Sequence, residues 1–123
     1  MAFSKADQFA ETDQEAAKWG KILSHPARIA ILKTLSQMNA CVCGTLAQSL
    51  PLAQSTVSQH LKTLRESRLI KGEIEGPHQC YCIDRNTLDA LQSSLRQLLA
   101  ELDTFALSCA CAPTEIHHKK ATP

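Results

Sequence analysis

The sequence predicts a mainly α-helical fold with a small β-hairpin, and three observations predict it. Apolar residues recur at spacings of three and four through four separate stretches, the period of helices with one buried face. Two short runs with alternating apolar residues flank Gly76-Pro77, the mark of a hairpin. Hydrophobic residues make up 44% of the chain, yet only Trp19, Tyr81 and three Phe supply aromatic area, so the core is built from Leu, Ile, Val and Ala. At 123 residues there is material for one domain with one modest core.

Residues 1–10 carry no strong pattern and read as a flexible leader or the start of the first helix. From about Thr12 to Leu23, the residues Ala16, Trp19 and Leu23 share one helical face. Ser24-His25-Pro26 interrupts; Pro26 suits a first helical turn, with Ser24 as the candidate cap ahead of it. A second helix runs from about Pro26 to Gln37, and Ile29, Leu32 and Leu35, with Ile31 alongside, are expected to bury most of it. After a short break, a helix from about Gly44 to Leu50 ends at Pro51, which cannot continue the backbone ladder.

Beyond the turn Pro51-Leu52-Ala53, the segment from about Gln54 to Ser67 places Val57, Leu61 and Leu64 on one face. Ser55, Ser58, Gln59 and Lys62 fall on the other. Thr56 and Gln59 have capping-box spacing, which leaves the start of this helix open by about two residues. Leu69 to Glu75 and Gln79 to Asp84 read as the two hairpin strands, with Ile70 and Ile74 on one face of the first and Tyr81 and Ile83 on one face of the second. Asn86 or Thr87 is the expected cap of a final helix in which Leu88, Leu91, Leu95, Leu98, Leu102 and Phe105 form a seam. A seam of that length packs against another helix, here expected from a second copy of the chain. Residues 108–123, which contain Cys109, Cys111, His117 and His118, lose the periodicity and read as a flexible tail. Residues 11–107 thus form one domain, with neither an internal repeat nor an inter-domain linker.

Several function classes are disfavoured at this point. No run of about 18 apolar residues exists and the N-terminus lacks an apolar signal region, which places the chain in the cytoplasm and away from membranes. In that compartment six cysteines are thiols for metal or redox chemistry rather than a disulfide framework. No Cys-x-x-Cys pair, phosphate loop or Ser/His/Asp signature points to an enzyme with a small-molecule substrate. The formal net charge of +1 decides nothing about nucleic acid, because a local basic patch sets the phosphate contribution.

The order helix, helix, helix-turn-helix, hairpin, helix resembles a winged helix-turn-helix. The segments SHPARIAILKTL, CVCGTLAQSL, QSTVSQHLKTLRESRLIKGEIEG and CYCI narrow it further. They resemble the arsenical-resistance repressor (ArsR/SmtB) family of bacterial metalloregulators, over about residues 16–106, with the S-x-H-L core followed by L-R-x-x-x-L-I the most specific part. The resemblance implies a dimer joined through its terminal helices that represses transcription from double-stranded operator DNA and leaves it when an effector binds. Two positions depart from the family pattern. Pro51 stands where a turn glycine is common, and Ala53 where a capping Ser is common, a loss of about 0.5 to 2 kcal/mol.

A recognition helix needs short donors and acceptors near its N-terminus, where it approaches base edges most closely. Gln54, Ser55, Thr56, Ser58, Gln59 and His60 supply them, and Gln can pair bidentately with adenine. Lys62, Arg65, Arg68 and Lys71 are placed for phosphates, with His78 and Gln79 at the hairpin tip. The competing reading is a solvated amphipathic helix, and the element order and family motifs weigh against it. His60 stays open between a base contact and a hydrogen bond that holds the motif together.

All six cysteines occur as Cys-x-Cys pairs: Cys41 with Cys43, Cys80 with Cys82, and Cys109 with Cys111. In the family, CVC followed shortly by Leu marks arsenite sensing, so the resemblance makes Cys41 and Cys43 effector ligands. A common third cysteine is replaced by Leu46, whereas As(III) or Sb(III) takes three thiolates. In winged-helix folds the segment before the motif pairs with the second wing strand, which would bring Cys41 and Cys43 beside Cys80 and Cys82 on the outer face. Cross-strand Cβ separations of about 4.5 to 5.5 Å let thiolates share one ion, and four thiolates also suit Zn(II) or Cd(II). Burial of Cys80 and Cys82 as small strand residues is the plainer alternative. Cys109 and Cys111 could reach the site through the tail, or form a separate thiol pair. The last helix holds no His between Thr87 and Leu107, against the zinc site that the family's zinc sensors carry there. A thiol redox or reactive-sulfur sensor, or one for Cd(II), Zn(II) or Pb(II), is the alternative within the same fold.

Overall fold

The computed structural model describes residues 5–38, 42–43, 50–73 and 79–106. A short 3-10 turn, Lys5–Gln8, leads into α1 (Glu11–Ile22) and α2 (Pro26–Ser36); β1 (Val42–Cys43), α3 (Gln54–Glu66), β2 (Ile70–Glu73), β3 (Cys80–Ile83) and α4 (Arg85–Ala106) follow. The expected helix over 44–50 up to its last residue, Leu50, together with Ile74, the Gly76-Pro77 turn with His78, Cys41, and the tail with Cys109 and Cys111, lies outside the described residues; Leu50 itself is half-buried in a bend and packs against the core.

Helix starts differ from expectation in instructive ways. At α2 the N-cap is His25, whose Nδ1 accepts from the Ala27 amide at 3.0 Å, and Ser24 instead donates from Oγ to the Lys21 carbonyl at 2.7 Å. At α4 the cap is Asp84, not Asn86 or Thr87: its Oδ2 accepts from the Thr87 amide at 3.0 Å and the Thr87 hydroxyl at 2.8 Å. An acidic cap also complements the positive end of the helix dipole. Helix α3 begins at Gln54 with Ala53 as its extended N-cap and no capping side chain, so Thr56 and Gln59 lie inside the first turns.

The core gathers Trp19 of α1, Ile31 and Leu35 of α2, Val57, Leu61 and Leu64 of α3, Leu69, Ile70, Tyr81 and Leu91. In α2 the buried face runs Ala27, Ile31, Leu35, and Ile29 is exposed; the rotation follows from i, i+4 spacing rather than i, i+3. Helix α1 packs on α4, α2 on α3, and α3 on β2. The sheet has three strands in the order β1-β3-β2, all antiparallel.

Two positive φ angles shape the motif's exit. Arg68 sits at φ 68 just past α3, with its amide bonded to the Arg65 carbonyl at 2.9 Å and the Leu69 amide to the Leu64 carbonyl at 3.1 Å. That pair of bonds is a Schellman closure, built on Arg where Gly is the usual residue. Gly72, at φ 116, lies opposite Tyr81; a Cβ there would overlap the Cys80 carbonyl oxygen and stand 2.9 Å from Tyr81 Cα. Only glycine lets β2 approach β3 that closely.

Candidate nucleic-acid interface and cysteine strands

Helix α3 divides cleanly between burial and exposure. Val57, Leu61 and Leu64 are sunk in the core, which turns Gln54, Ser55, Thr56, Ser58, Gln59, Lys62 and Arg65 outward to solvent. Hydroxyls and amides thus crowd the first two turns, and cations follow in the last two. Arg65, Arg68 and Lys71, with Ile70, Gly72, Asp84 and Thr87, line a shallow pocket of about 450 Å³ where α3 hands over to the hairpin. Its rim holds three cations, which suits a phosphate. One of them is partly engaged: Lys71 Nζ stands 3.7 Å from Asp84 Oδ1. At an exposed site such a pair contributes little, so Lys71 can exchange it for another anion.

His60 is placed differently from its neighbours. Its half-buried ring points toward α2, where Nδ1 meets Arg28 Nη1 at 3.2 Å and the ring packs on His25 at 4.3 Å between centroids. Both partners lie on α2 and its cap, outside the helix-turn-helix, so the ring ties α3 to α2 rather than closing a bond within the motif. Burial first, then the charges of His25 and Arg28, hold its pKa below the ordinary 6.5. Gln79 at the foot of β3 is half-buried.

In the sheet, Val42 pairs with Tyr81 and Cys43 with Cys80, while β2 sets Lys71 opposite Cys82 and Glu73 opposite Cys80. Tyr81 is fully buried, so the positions of Cys80 and Cys82 lie on the sheet's other face, and both residues are half-buried there. Position 43 shares that face, because directly opposed residues of an antiparallel pair do. Cys80 is engaged in a disulfide whose other sulfur lies outside the described side chains. Among the described residues no three His, Cys, Asp or Glu side chains converge in a way that could hold a metal ion.

Helices α1 and α4 carry a second surface feature. Between them runs an open groove of about 700 Å³, with Ala16, Ala90 and Leu98 among the residues that line it. Along α4 the expected seam splits. Leu91 is buried, Leu88 and Leu95 pack against the core, and Leu102 is 58% exposed beside Leu99 at 61%.

Sequence reasoning missed three residues that position these surfaces. Gly72 had a readable signal, a glycine inside a strand. Asp84 had one too, an acidic residue directly ahead of a helical stretch. Arg28 had none, because its partner on α3 is remote in the sequence. No described helix is long and apolar enough to cross a membrane.

Comparison with known proteins accounts for this arrangement. The family model for bacterial regulatory proteins of the arsR family matches residues 25–71. The chain is 32% identical over 91 residues to the arsenical resistance operon repressor of Staphylococcus xylosus, covering 74% of this chain and 83% of that protein. It is 30% identical over 90 residues to the transcriptional repressor SmtB homolog of Synechocystis, covering 73% and 67% respectively. Among solved structures, the homodimeric winged helix-turn-helix DNA-binding domain Mb0332 of Mycobacterium bovis shares the fold, with a TM-score of 0.52 at 24% identity over 96% of this chain and all of that one. With its winged helix-turn-helix fold, the chain belongs to the ArsR family of bacterial transcriptional repressors, DNA-binding regulators rather than enzymes.

Proposed function

We propose that this repressor binds operator DNA as a homodimer and leaves it when As(III) or Sb(III) is held by cysteine thiolates. Helix α3 would enter the major groove, with Gln54, Ser55, Thr56, Ser58 and Gln59 at base edges. Lys62, Arg65, Arg68 and Lys71 would meet phosphates, with His78 as a wing contact. The exposed leucines of α4 and the groove beside α1 support pairing of two copies through these helices. Two copies spaced for successive major grooves need half-sites roughly 34 to 36 Å apart, so a small rigid-body change is enough to release the DNA.

The observation that carries the effector assignment is the register of β1 on β3, which puts Cys43 opposite Cys80. Continued by one residue, it would put Cys41 opposite Cys82. In the reduced protein this gives Cys41 and Cys43 the third thiolate they lack, from Cys80 or Cys82, and the soft trivalent ion suits such a set. Four thiolates would equally fit Zn(II) or Cd(II), with Cys109 and Cys111 as further donors from the tail. The experiment is an operator-binding titration with As(III), Sb(III), Cd(II) and Zn(II) under full reduction, repeated with Cys41→Ser and Cys43→Ser. Release by arsenite that is lost in both variants is the expected result; release at unchanged arsenite concentration in both would overturn it.

The disulfide at Cys80 favours a second reading, in which oxidation of the strand cysteines is the signal. Release by an oxidant without any metal, reversed by dithiothreitol and abolished in Cys80→Ser, would select it over the metalloid reading.

A further inference from the structure

From α2, Arg28 hydrogen-bonds both to the end of α1 and to α3. Its Nε donates to the Ile22 carbonyl at 2.6 Å and its Nη2 to the Lys21 carbonyl at 3.2 Å, both at the C-terminal end of α1, where carbonyls lack helical partners. Nη2 also reaches Ser24 Oγ at 3.4 Å. From α2, the same guanidinium then meets Nδ1 of His60 on α3. Arginine has no acceptor, so Nη1 must donate and His60 Nδ1 must accept, which leaves any ring proton on Nε2. His25 Nδ1 likewise accepts, from the Ala27 amide.

We propose that Arg28 is a positioning residue for operator binding, which through His60 fixes the angle of α3 against α1 and carries a displacement of α1 to the DNA-contacting face. The inference rests on α3 being the helix that meets DNA. Its geometry stands without that reading: α1 packs along α4 on one side and reaches the motif through this guanidinium on the other. Neutral His60 is a condition of the joint, because a proton on Nδ1 would face the guanidinium with two donors and no acceptor. Among the described residues the ionisable groups that act on His60 are His25 and Arg28, both on the α2 turn. The lowered pKa gives the sign. Between the lowered value and 6.5 the folded chain binds fewer protons than the unfolded chain, so the joint is complete above pH 6.5 and is lost as pH falls through the lowered value.

The test has one arm on the joint and one on DNA. In protein labelled with 15N-histidine, long-range nitrogen–proton spectra should show His60 as the Nε2–H tautomer at neutral pH, and Arg28→Met should shift the Nδ1 resonance as its donor is lost; an Nδ1–H tautomer in the wild type, or an Nδ1 resonance unmoved in Arg28→Met, would overturn the proposal. For DNA, a duplex is enriched from a random pool by the wild-type protein. Arg28→Met and Arg28→Lys, checked for folding by circular dichroism, should bind this duplex about fivefold or more weakly, with little change on a random duplex. Lys keeps the charge but cannot span both carbonyls and the imidazole. As the pH is lowered from neutrality through the lowered His60 value, which the His60 nitrogen shifts locate, wild-type affinity for the enriched duplex should also fall relative to His60→Asn, whose Oδ1 accepts in place of Nδ1 and does not titrate. Taking the ratio to His60→Asn removes what the two proteins share. Unchanged affinity in both Arg28 variants, or parallel pH profiles for wild type and His60→Asn, would overturn it. Failure of the wild type to enrich any duplex would instead remove the DNA reading, and the spectra would still report on the joint.

Discussion

Helix α3 and the strand pair β1–β3 are the two chemically loaded regions of this molecule, and they are assembled by opposite means. Along α3, Gln54, Ser58 and Gln59 are displayed by the burial of Val57, Leu61 and Leu64, residues within a turn or two of them in the same helix. The cysteine row exists only because β1, β3 and β2 come together in one register across three separate segments. The pattern of a surface of the first kind is written in one helix, even where the angle at which it is presented depends on a neighbour such as Arg28. One of the second kind depends on every backbone that sets the register, and substitutions should therefore hurt the two regions by different routes.

The largest effect is expected at Gly72. A methyl group there meets backbone atoms of Cys80 and Tyr81, which cannot rotate away, and an L-residue is strained at φ 116. Gly72→Ala should cost about 3 kcal/mol in urea unfolding, overpacking and strain together. It should also displace Cys80 and Cys82 and so abolish any metalloid response. A loss below about 0.5 kcal/mol, the range of neutral surface changes, would mean that β2 does not lie on β3 as described.

Gln54→Ala and Gln59→Ala probe the other region, and should leave stability within about 0.5 kcal/mol because both side chains are exposed. Their cost is expected in discrimination: about 1 to 3 kcal/mol less preference for an enriched duplex over a random one, if either makes a bidentate base pair contact. Equal weakening on both duplexes would move that residue from base reading to backbone contact.

Asp84 links the regions, since it caps α4 and also faces Lys71 of β2. The Thr87 hydroxyl, then the Thr87 amide, and to a lesser degree Lys71 hold its carboxyl below the ordinary 3.8. The stabilisation is therefore present above pH 3.8 and lost as the pH falls through the lowered value. Asp84→Ala should lower the melting temperature by a few degrees at neutral pH, and the gap from wild type should close in acid; a gap constant with pH would make the cap a matter of shape rather than charge.

These contrasts also explain what could be read in the sequence. Periodicity located every described helix within a residue or two, because a buried stripe is a local property of the chain. The facing of Tyr81 into the core, and hence of Cys80 and Cys82 away from it, followed from alternation along one strand. Caps were harder: Ser24 and His25 stand side by side, and Ser24 turns back to the Lys21 carbonyl of α1 while His25 takes the Ala27 amide. The Arg28–His60 joint left no local trace at all, since neither residue's own neighbours require the other. Whether the thiolates converge on an ion is beyond any periodic signal, because it depends on segments brought together by the fold.

The smallest predicted effect separates stability from function at one residue. Arg68 occupies the left-handed position that closes α3, at φ 68. A non-glycine residue there costs about 1 to 2 kcal/mol, and replacing it by Gly returns about 0.5 to 1 kcal/mol of that to the entropy of the unfolded chain. Arg68→Gly should thus stabilise the protein by about 0.5 to 1 kcal/mol. It should at the same time remove one cation from the rim shared with Arg65 and Lys71, and if Arg68 meets a phosphate, the slope of log affinity against log salt should fall by about 0.9. A more stable protein with an unchanged slope would free Arg68 from DNA contact and leave its strained backbone without a functional reason. A more stable protein with the smaller slope would show that the turn closing α3 is held in a costly conformation for the sake of the charge it carries.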